Sequence, residues 1–296
     1  MTRSIAAALS AAVDHPSAAP RLVASGGGAF GQTARLDSGG KSFFVKSLPT
    51  SQADALEAEA DGLCRLARSD LDPDDGALRV PAVFGLFDIE DRCWLMVEWL
   101  DLQPLSRSAA AQLGQQLAIH HQRATAELHG LDRDNWIGGT RQSNRQWADW
   151  TRFLFEERLG PLIDQLNAKG FDLGCDATQA LRAAWTDRFS DYRPMPSLLH
   201  GDLWSGNAAM RDDGTPIVYD PAVYFGDREY DLAMAALFGG FGEEFFSAYE
   251  STWPLDHGWA IRRGYYQLYH VLNHALLFGG AYVVDARHRI ETLIRA

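Results

Sequence analysis

The chain has 296 residues, 46% hydrophobic and 22% charged, which is typical of globular proteins and excludes disordered, collagenous and membrane-embedded classes. Its 27 basic and 39 acidic residues give a net charge of −12, so it lacks the basic field that would hold a nucleic-acid backbone or an anionic membrane. Because single hydrophobic cores stop growing beyond about 250 to 300 residues, the length predicts one or two domains.

Short elements alternate with turns over the first hundred residues. Residues 5–13 are Ala-rich and predict a short surface helix rather than a secretory signal. Residues 21–48 have a period close to two, interrupted by glycine turns, and predict three antiparallel strands. The helical spacing of apolar residues over 52–68 predicts an amphipathic helix. The apolar runs at 80–87 and 93–99 predict a hairpin that completes a small sheet.

Helical patterns dominate from residue 108 onward. They cover 109–128, 144–166 and 177–192, with a polar loop around 138–142 between the first two. One strand-like region, 197–219, contains a predicted hairpin around the turn at 211–214. The sequence therefore predicts an α+β, bilobal architecture: an N-terminal lobe over 1–100 with a small antiparallel sheet, and a mostly helical C-terminal lobe over 101–296.

The segment HGDLWSGN, residues 200–207, has the spacing His-x-Asp-x-x-x-x-Asn. Kinase catalytic loops use this spacing to place a base and a metal ligand, because a carboxylate must face the acceptor hydroxyl while an amide oxygen reaches a magnesium ion. Asp202 is the candidate base and Asn207 a candidate ligand. Asp220, at the end of the predicted hairpin, is the second candidate ligand. The alternative is that these residues only form turns, with Asp220 ending a strand before Pro221.

Candidate phosphate-binding residues lie upstream in the order that a kinase N-terminal lobe uses. Gly26, Gly27 and Gly28 precede a hydrophobic strand that ends in Lys46, although they do not match Gly-x-Gly-x-x-Gly. Backbone amides of the glycine segment would then cover the phosphates of the nucleotide, and Lys46 would contact the α and β phosphates. The alternative is an ordinary hairpin turn followed by a solvated lysine.

Acidic residues of the first lobe complete the predicted nucleotide site. The helix after Lys46 offers Glu57 and Glu59 as its partner; Glu59 is preferred because it lies nearest the apolar stripe, and Glu57 stays open. Glu98 ends the small sheet where the lobes join, the position that receives an adenine through backbone groups.

Other classes of site fit the sequence less well. The glycines lie between strands and do not open a helix, which argues against a dinucleotide-binding fold. The sequence contains neither a Gly-x-Ser-x-Gly nor a His-Glu-x-x-His motif. Its three cysteines, which form no Cys-x-x-Cys pair, indicate a reducing cytoplasm, and its apolar stretches are too short to cross a membrane.

Four segments together resemble the fructosamine (ketosamine) kinase family, a branch of the protein-kinase-like and aminoglycoside phosphotransferase group. They are HGDLWSGN, residues 219–241, Asp134-Asn135-Trp136 followed by Ile137-Gly138, and Leu272-Asn273-His274 with Phe278-Gly279-Gly280. The resemblance extends from about Arg21 to the C-terminus. It implies an ATP- and Mg²⁺-dependent kinase that phosphorylates the 3-hydroxyl of free or protein-linked ketosamines and so serves deglycation.

The resemblance also implies roles for individual residues. Asp202 is the base, Asn207 and Asp220 bind magnesium, and Lys46 with Glu59 binds phosphate; Asp231 is a buried structural aspartate. Trp204, Asp227, Glu229 and His274 are candidate contacts to the acceptor. The family often has Tyr or His around the element at 225–229, which reads Phe-Gly-Asp-Arg-Glu here; this departure concerns the choice of acceptor and not phosphoryl transfer. Aminoglycoside or choline phosphotransferases and a non-catalytic pseudokinase are the alternatives, and no nucleic-acid or membrane partner is expected.

Overall fold

The computed structural model describes residues 3–12, 19–24, 31–67, 77–174 and 176–295. The α-helices in this part of the chain are α1 (Arg3–Ala11), α2 (Ala53–Ala67), α3 (Arg107–Arg123), α4 (Trp150–Phe153), α5 (Gly160–Ala168), α6 (Ala177–Phe189), α7 (Glu229–Leu237), α8 (Gly242–Thr252), α9 (Trp259–Phe278) and α10 (Ala281–Arg295). The strands are β1 (Arg21–Ala24), β2 (Gln32–Ser38), β3 (Lys41–Pro49), β4 (Val83–Ile89), β5 (Arg92–Glu98), β6 (Leu102–Gln103), β7 (Asn135–Ile137), β8 (Thr140–Gln142), β9 (Ser197–Leu199), β10 (Ala208–Arg211), β11 (Pro216–Val218) and β12 (Tyr224–Gly226).

An antiparallel sheet in the order β1-β2-β3-β5-β4 forms the first lobe of the described chain. Its central strands bury both faces because successive side chains point to opposite sides. Phe43, Val45 and Trp94 pack with α1 on one face. Leu95 packs with α2 on the other face, and Phe44 borders that second cluster. The predicted strands and α2 are confirmed.

The second lobe is mostly helical. Helix α9 packs against α5, α7 and α10, and α3 packs along α8. The contact between α3 and α8 requires Gly114, because a Cβ there would lie 2.1 Å from the carbonyl oxygen of Phe245. A core rich in aromatic rings surrounds α9, with the indole of Trp150 donating a hydrogen bond to the hydroxyl of Tyr266 at 3.1 Å.

The structure corrects two local predictions in this lobe, the conformation of one segment and the start of one helix. The segment predicted as a polar loop is the hairpin β7–β8, joined by the two-residue turn at 138–139, a length that suits tight hairpins. The helix predicted over 144–166 begins at Trp150, because the Asp149 side chain accepts a hydrogen bond from the Arg152 N–H and caps its start. It contains a π-helical segment at Leu154–Leu159 before α5.

These elements confirm an α+β fold with a small antiparallel sheet followed by a mostly helical lobe. The division of the chain near residue 100 stays a prediction; the last residue of β5 is Glu98, and β6 pairs with β10 of the second lobe. Among the described residues, the helices are too short or too polar to cross a lipid bilayer.

Candidate active site

A cavity of about 830 Å³ lies between the two lobes. Side chains of β3 and α2 line one wall. The opposite wall comes from the β7–β8 hairpin, the segment 202–207, the segment 220–222 and helices α7, α9 and α10. Lys46, Glu59, Asp202, Trp204, Asn207, Asp220 and His274, all predicted as site residues, line this cavity.

Lys46 and Glu59 form an ion pair, with Nζ donating to Oε2 at 2.7 Å. Alternation along β3 places Lys46 on the same face as Phe44 and Leu48, toward α2. Glu59 lies three residues after Leu56 on the helix face that packs on the sheet. Burial alone would lower the pKa of Lys46, but the carboxylates of Glu59 and Asp220 outweigh it and raise that pKa, so the ammonium stays charged.

Glu57 points away from this pair. Its carboxylate lies 3.7 Å from the guanidinium of Arg133 and is 53% exposed. Helix α2 is also tied to the second lobe by Arg65, whose Nη2 donates to both carboxylate oxygens of Asp132 at 2.8 and 3.1 Å. Of the two glutamates that the sequence offered, the structure pairs Glu59 with Lys46.

The catalytic-loop motif forms a tight turn held by its own polar groups. Asn207 donates from Nδ2 to the backbone oxygen of Asp202 at 2.9 Å and to its Oδ2 at 3.1 Å. His200 Nδ1 accepts from the Asp202 N–H at 3.3 Å, so its Nε2 donates to the Tyr219 carbonyl at 3.1 Å. Burial lowers the pKa of His200, which keeps this neutral tautomer. The histidine therefore joins the loop to the hairpin that carries Asp220.

Burial and the nearby carboxylate of Asp220 raise the pKa of Asp202 to about 7, against the hydrogen bond from Asn207. A base whose pKa lies near neutrality can accept a proton during reaction and lose it again afterwards.

Asp220 has a left-handed backbone, with φ of 53°, which is costly for a residue with a side chain. Such strain persists where the surroundings hold it: Tyr219 N–H donates to the Asn207 carbonyl at 3.0 Å, and Ala222 N–H to the His200 carbonyl at 2.8 Å. The Asp220 carboxylate is 51% exposed, and its Oδ1 lies 3.6 Å from Lys46 Nζ. The backbone thus turns this carboxylate toward the lysine.

A buried aspartate supports the loop from beneath. Asp231 of α7 accepts hydrogen bonds from the N–H groups of His200 at 2.8 Å and Gly201 at 2.9 Å, and from His121 Nε2 at 3.1 Å. Burial alone would raise its pKa, but these donors outweigh it and lower that pKa. Gly201 has a φ of 82°, and a Cβ there would meet the Ala222 carbonyl at 2.0 Å. The resemblance correctly implied a structural aspartate here.

Two predicted acceptor contacts are corrected by the structure. Asp227 and Glu229 are completely buried and do not line the cavity. Asp227 accepts hydrogen bonds from the hydroxyls of Tyr192 and Tyr266, while Glu229 forms a two-point ion pair with Arg262 at 2.6 and 2.8 Å. Both carboxylates are committed to partners inside the second lobe, so their role is structural.

Trp204 and His274 do line the cavity, on the side of the second lobe. Trp204 is 39% exposed. His274 donates from Nδ1 to the His270 carbonyl at 2.7 Å, which leaves Nε2 as the ring atom available to a ligand. Phe238, Phe278 and Tyr282 surround this histidine and were missed as site residues. The signal for the two phenylalanines was present: the tetrapeptide Leu-Phe-Gly-Gly occurs at both 237–240 and 277–280.

The remaining predicted nucleotide contacts have different outcomes. Gly26, Gly27 and Gly28 lie outside the described residues, between strands β1 and β2, which pair antiparallel. Glu98 does not line the cavity; its N–H donates to the Ala82 carbonyl at 2.8 Å and its carboxylate accepts from the Ala82 N–H at 3.3 Å. A nucleotide contact through the side chain or N–H of Glu98 therefore lacks support.

The donor set suits a magnesium ion that a nucleotide helps to bind. Asn207 uses its amide nitrogen for hydrogen bonds, which leaves its oxygen for a cation, and the Asp220 carboxylate is exposed to the cavity. In the described part of the chain, His, Cys, Asp and Glu side chains do not gather in groups of three that would hold a metal alone. Magnesium typically takes one or two protein oxygens, with substrate phosphates and water completing its shell. These residues fit that pattern.

Comparisons with known proteins agree with this geometry. The family model described as fructosamine kinase matches residues 1–296. A probable ketoamine kinase of Vibrio parahaemolyticus is 36% identical over 269 residues, covering 90% of each chain. Another, from Escherichia coli K12, is 38% identical over 257 residues, covering 87% of each chain.

Solved structures show the same fold. A candidate fructosamine-3-kinase of Thermobifida fusca superposes with a TM-score of 0.84 at 32% identity, covering 100% of both chains. Aminoglycoside phosphotransferase APH(4)-Ia superposes with a TM-score of 0.63 at 16% identity, covering 93% of both chains. At that identity the second similarity concerns the fold alone, which is protein-kinase-like.

Proposed function

The chain belongs to the fructosamine kinase family, and on that premise we propose that it transfers the γ-phosphoryl group of ATP to the 3-hydroxyl of a ketosamine. The acceptor is a sugar joined to an amine, either free or on a protein side chain. Phosphate on that carbon is a better leaving group than hydroxide, and the neighbouring carbonyl acidifies the position where elimination starts. The phosphorylated adduct can then break down and release the amine, which makes the reaction a deglycation step.

The observation that carries this proposal is the convergence of Lys46, Asp202, Asn207 and Asp220 on one cavity. In the proposed reaction the acceptor oxygen attacks the γ-phosphorus, the bond from that phosphorus to the bridging oxygen breaks, and ADP leaves. The hydroxyl proton passes to the Asp202 carboxylate. Lys46, held by Glu59, neutralises charge on the phosphates of the nucleotide.

Asn207 and Asp220 would hold the magnesium ion, which would supply charge neutralisation on the phosphates. The left-handed backbone of Asp220 supports this role because it directs the carboxylate toward Lys46, where phosphates would be placed. Trp204 would cover the apolar face of the sugar, and His274 Nε2 would contact one of its polar groups. Cys64 and Cys93, the cysteines that the structure describes, are free, which fits action in a reducing cytoplasm.

The test is to incubate the purified protein with ATP, magnesium and a lysine-linked fructosamine or ribulosamine. We expect ADP and an acceptor phosphorylated at the 3-position, detected by mass spectrometry and phosphorus NMR. Aminoglycosides and choline are the comparison acceptors. Efficient phosphorylation of either, with the ketosamines unmodified, would retain the kinase fold and reject the ketosamine assignment.

A further inference from the structure

A row of aromatic rings extends along the cavity from the catalytic loop to the exposed side chain of Phe278. Trp204 contacts Phe238 with ring centroids 6.3 Å apart, and Phe238 contacts His274 at 5.1 Å. His274 in turn contacts Phe278 at 5.7 Å and Tyr282 at 5.1 Å. All five side chains line the cavity, and we call Phe238, His274, Phe278 and Tyr282 the aromatic wall.

The two phenylalanines occupy equivalent positions on different helices. Helix α7 ends at Leu237 and α9 at Phe278, and the two glycines that end each Leu-Phe-Gly-Gly sequence have positive φ. The first turn lies against the catalytic loop, because a Cβ on Gly240 would meet the Ser205 Cβ at 2.5 Å. The second turn leads into α10, whose Tyr282 reaches back to His274. Both helix ends therefore present a phenylalanine to the same cavity.

This wall leaves apolar surface exposed at one place. Phe278 is 58% exposed and Phe238 43% exposed, next to Trp204 at 39%. Clustered exposed apolar surface lowers stability and solubility unless it binds something. Lys46, the cation that would bind the phosphates, lies instead beside Glu59 and Asp220. The wall therefore suits an apolar group and not the phosphates of the nucleotide.

We propose that the aromatic wall binds an apolar or aromatic substituent on the amine of the acceptor. This inference rests on the proposed function: it places the reacting hydroxyl at Asp202, the sugar at Trp204 and the amine side of the ketosamine along the wall. Three successive ring contacts link Trp204 to Phe278, so the apolar surface continues beyond the tryptophan that would cover the sugar. The protein thus selects ketosamines by the amine they carry as well as by their sugar.

The experiment compares two acceptors with the same fructose group, one made from benzylamine and one from glycine. We expect wild-type protein to prefer the benzylamine adduct in kcat/KM by about tenfold, the low end of what an apolar contact provides. Phe278→Ala should bring that ratio close to one, and Phe278→Tyr should preserve it. Val284→Ala is the matched control, because Val284 is 69% exposed on α10 and does not line the cavity.

Each result has a distinct meaning. If wild-type protein phosphorylates neither these acceptors nor the matching ribulose adducts, the proposed function fails; if it phosphorylates both acceptors of a pair with equal kcat/KM, only the aromatic-wall proposal fails. An unchanged ratio in a Phe278→Ala protein with wild-type thermal stability would also overturn it. A several-fold rise in the KM of Phe278→Ala for ATP, with the acceptor ratio preserved, would overturn the proposal as well, because the wall would then bind the nucleotide.

Discussion

Two groups of carboxylates lie close together in the second lobe and differ in what surrounds them. Asp202 and Asp220 border the cavity, where Asp202 accepts one side-chain hydrogen bond from Asn207 and Asp220 is half exposed. Asp227, Glu229 and Asp231 lie beneath them and are completely buried among two tyrosines, an arginine, a histidine and backbone N–H groups. The carboxylates of the cavity group can therefore bind a ligand, whereas those of the buried group are engaged in hydrogen bonds that stabilise the fold.

This difference separates catalysis from stability. Residues of the cavity group should change turnover when substituted and leave the fold almost intact. Residues of the buried group should do the reverse. Substitutions in each group therefore test the distinction.

Asp202→Asn should lower kcat by about 10²- to 10⁴-fold, the usual contribution of a general base. Asparagine has nearly the same shape and can still bond to Asn207, but it does not accept the proton of the acceptor hydroxyl. We expect KM for ATP and the thermal midpoint to stay close to wild type. Steady-state kinetics with both substrates varied would check this, and retention of full turnover would remove Asp202 as the base.

Asp231→Asn should destabilise the fold by about 3 kcal/mol or more, the usual cost of disrupting a buried charged network. The single side-chain oxygen of an asparagine cannot accept hydrogen bonds from both backbone N–H groups and from His121. Its NH₂ group, itself a donor, would face at least one of these donors. Urea unfolding of both proteins at neutral pH measures the difference.

The Asp231 effect should also depend on pH. The folded protein lowers the pKa of Asp231 below its unfolded value of about 3.9. The carboxylate therefore makes its full contribution to the free energy of unfolding above that pH, and this contribution is lost as the pH falls through the folded pKa. The difference in unfolding free energy between wild type and Asp231→Asn should be constant from pH 8 to about pH 5.5 and narrow below about pH 5. A difference that widens on acidification would contradict this assignment.

The sequence predicted the parts of the molecule that depend on local pattern. Alternation along β3 and the helical stripe of α2 placed Lys46 and Glu59 on facing surfaces, and the spacing of Asp202 and Asn207 fixed their turn. Burial of Asp227 and Glu229 could not be predicted in this way. Their partners, Tyr192 and Arg262, lie 35 residues before and 33 residues after them, so only the folded lobe brings them together.

The same reason explains the missed aromatic wall. A phenylalanine at the end of an apolar helix pattern predicts a core residue, and although Phe238 and Phe278 share a repeated Leu-Phe-Gly-Gly sequence, only the folded lobe brings the two repeats to one cavity. The hairpin at 135–142 was missed because its stability comes from distant contacts: Asn135 Nδ2 donates to the Val223 carbonyl at 2.7 Å.

Glu229→Gln tests the corrected assignment directly. It should destabilise the protein by about 2 kcal/mol, the range for hydrogen bonds to charged groups, because glutamine keeps one oxygen for Arg262 but removes the charge. If Glu229 is structural, KM for the acceptor should stay within about twofold of wild type at a temperature where both proteins are folded. A rise in that KM without loss of stability would return Glu229 to the acceptor site.

Glu59 shares one property with each group of carboxylates. It is largely buried, as the buried group is, and it lines the cavity, as the cavity group does. Its carboxylate holds Lys46, so Glu59→Gln should leave the ammonium less well placed on the phosphates and lower kcat/KM for ATP by about tenfold, equivalent to 1.4 kcal/mol. Glu57→Gln is the matched control on the same helix, because Glu57 is exposed and 3.7 Å from Arg133. Exposed ion pairs contribute little, so this variant should stay within about twofold of wild type. Equal losses in both variants would show that helix α2 tolerates neither change and that Lys46 does not depend on Glu59 specifically.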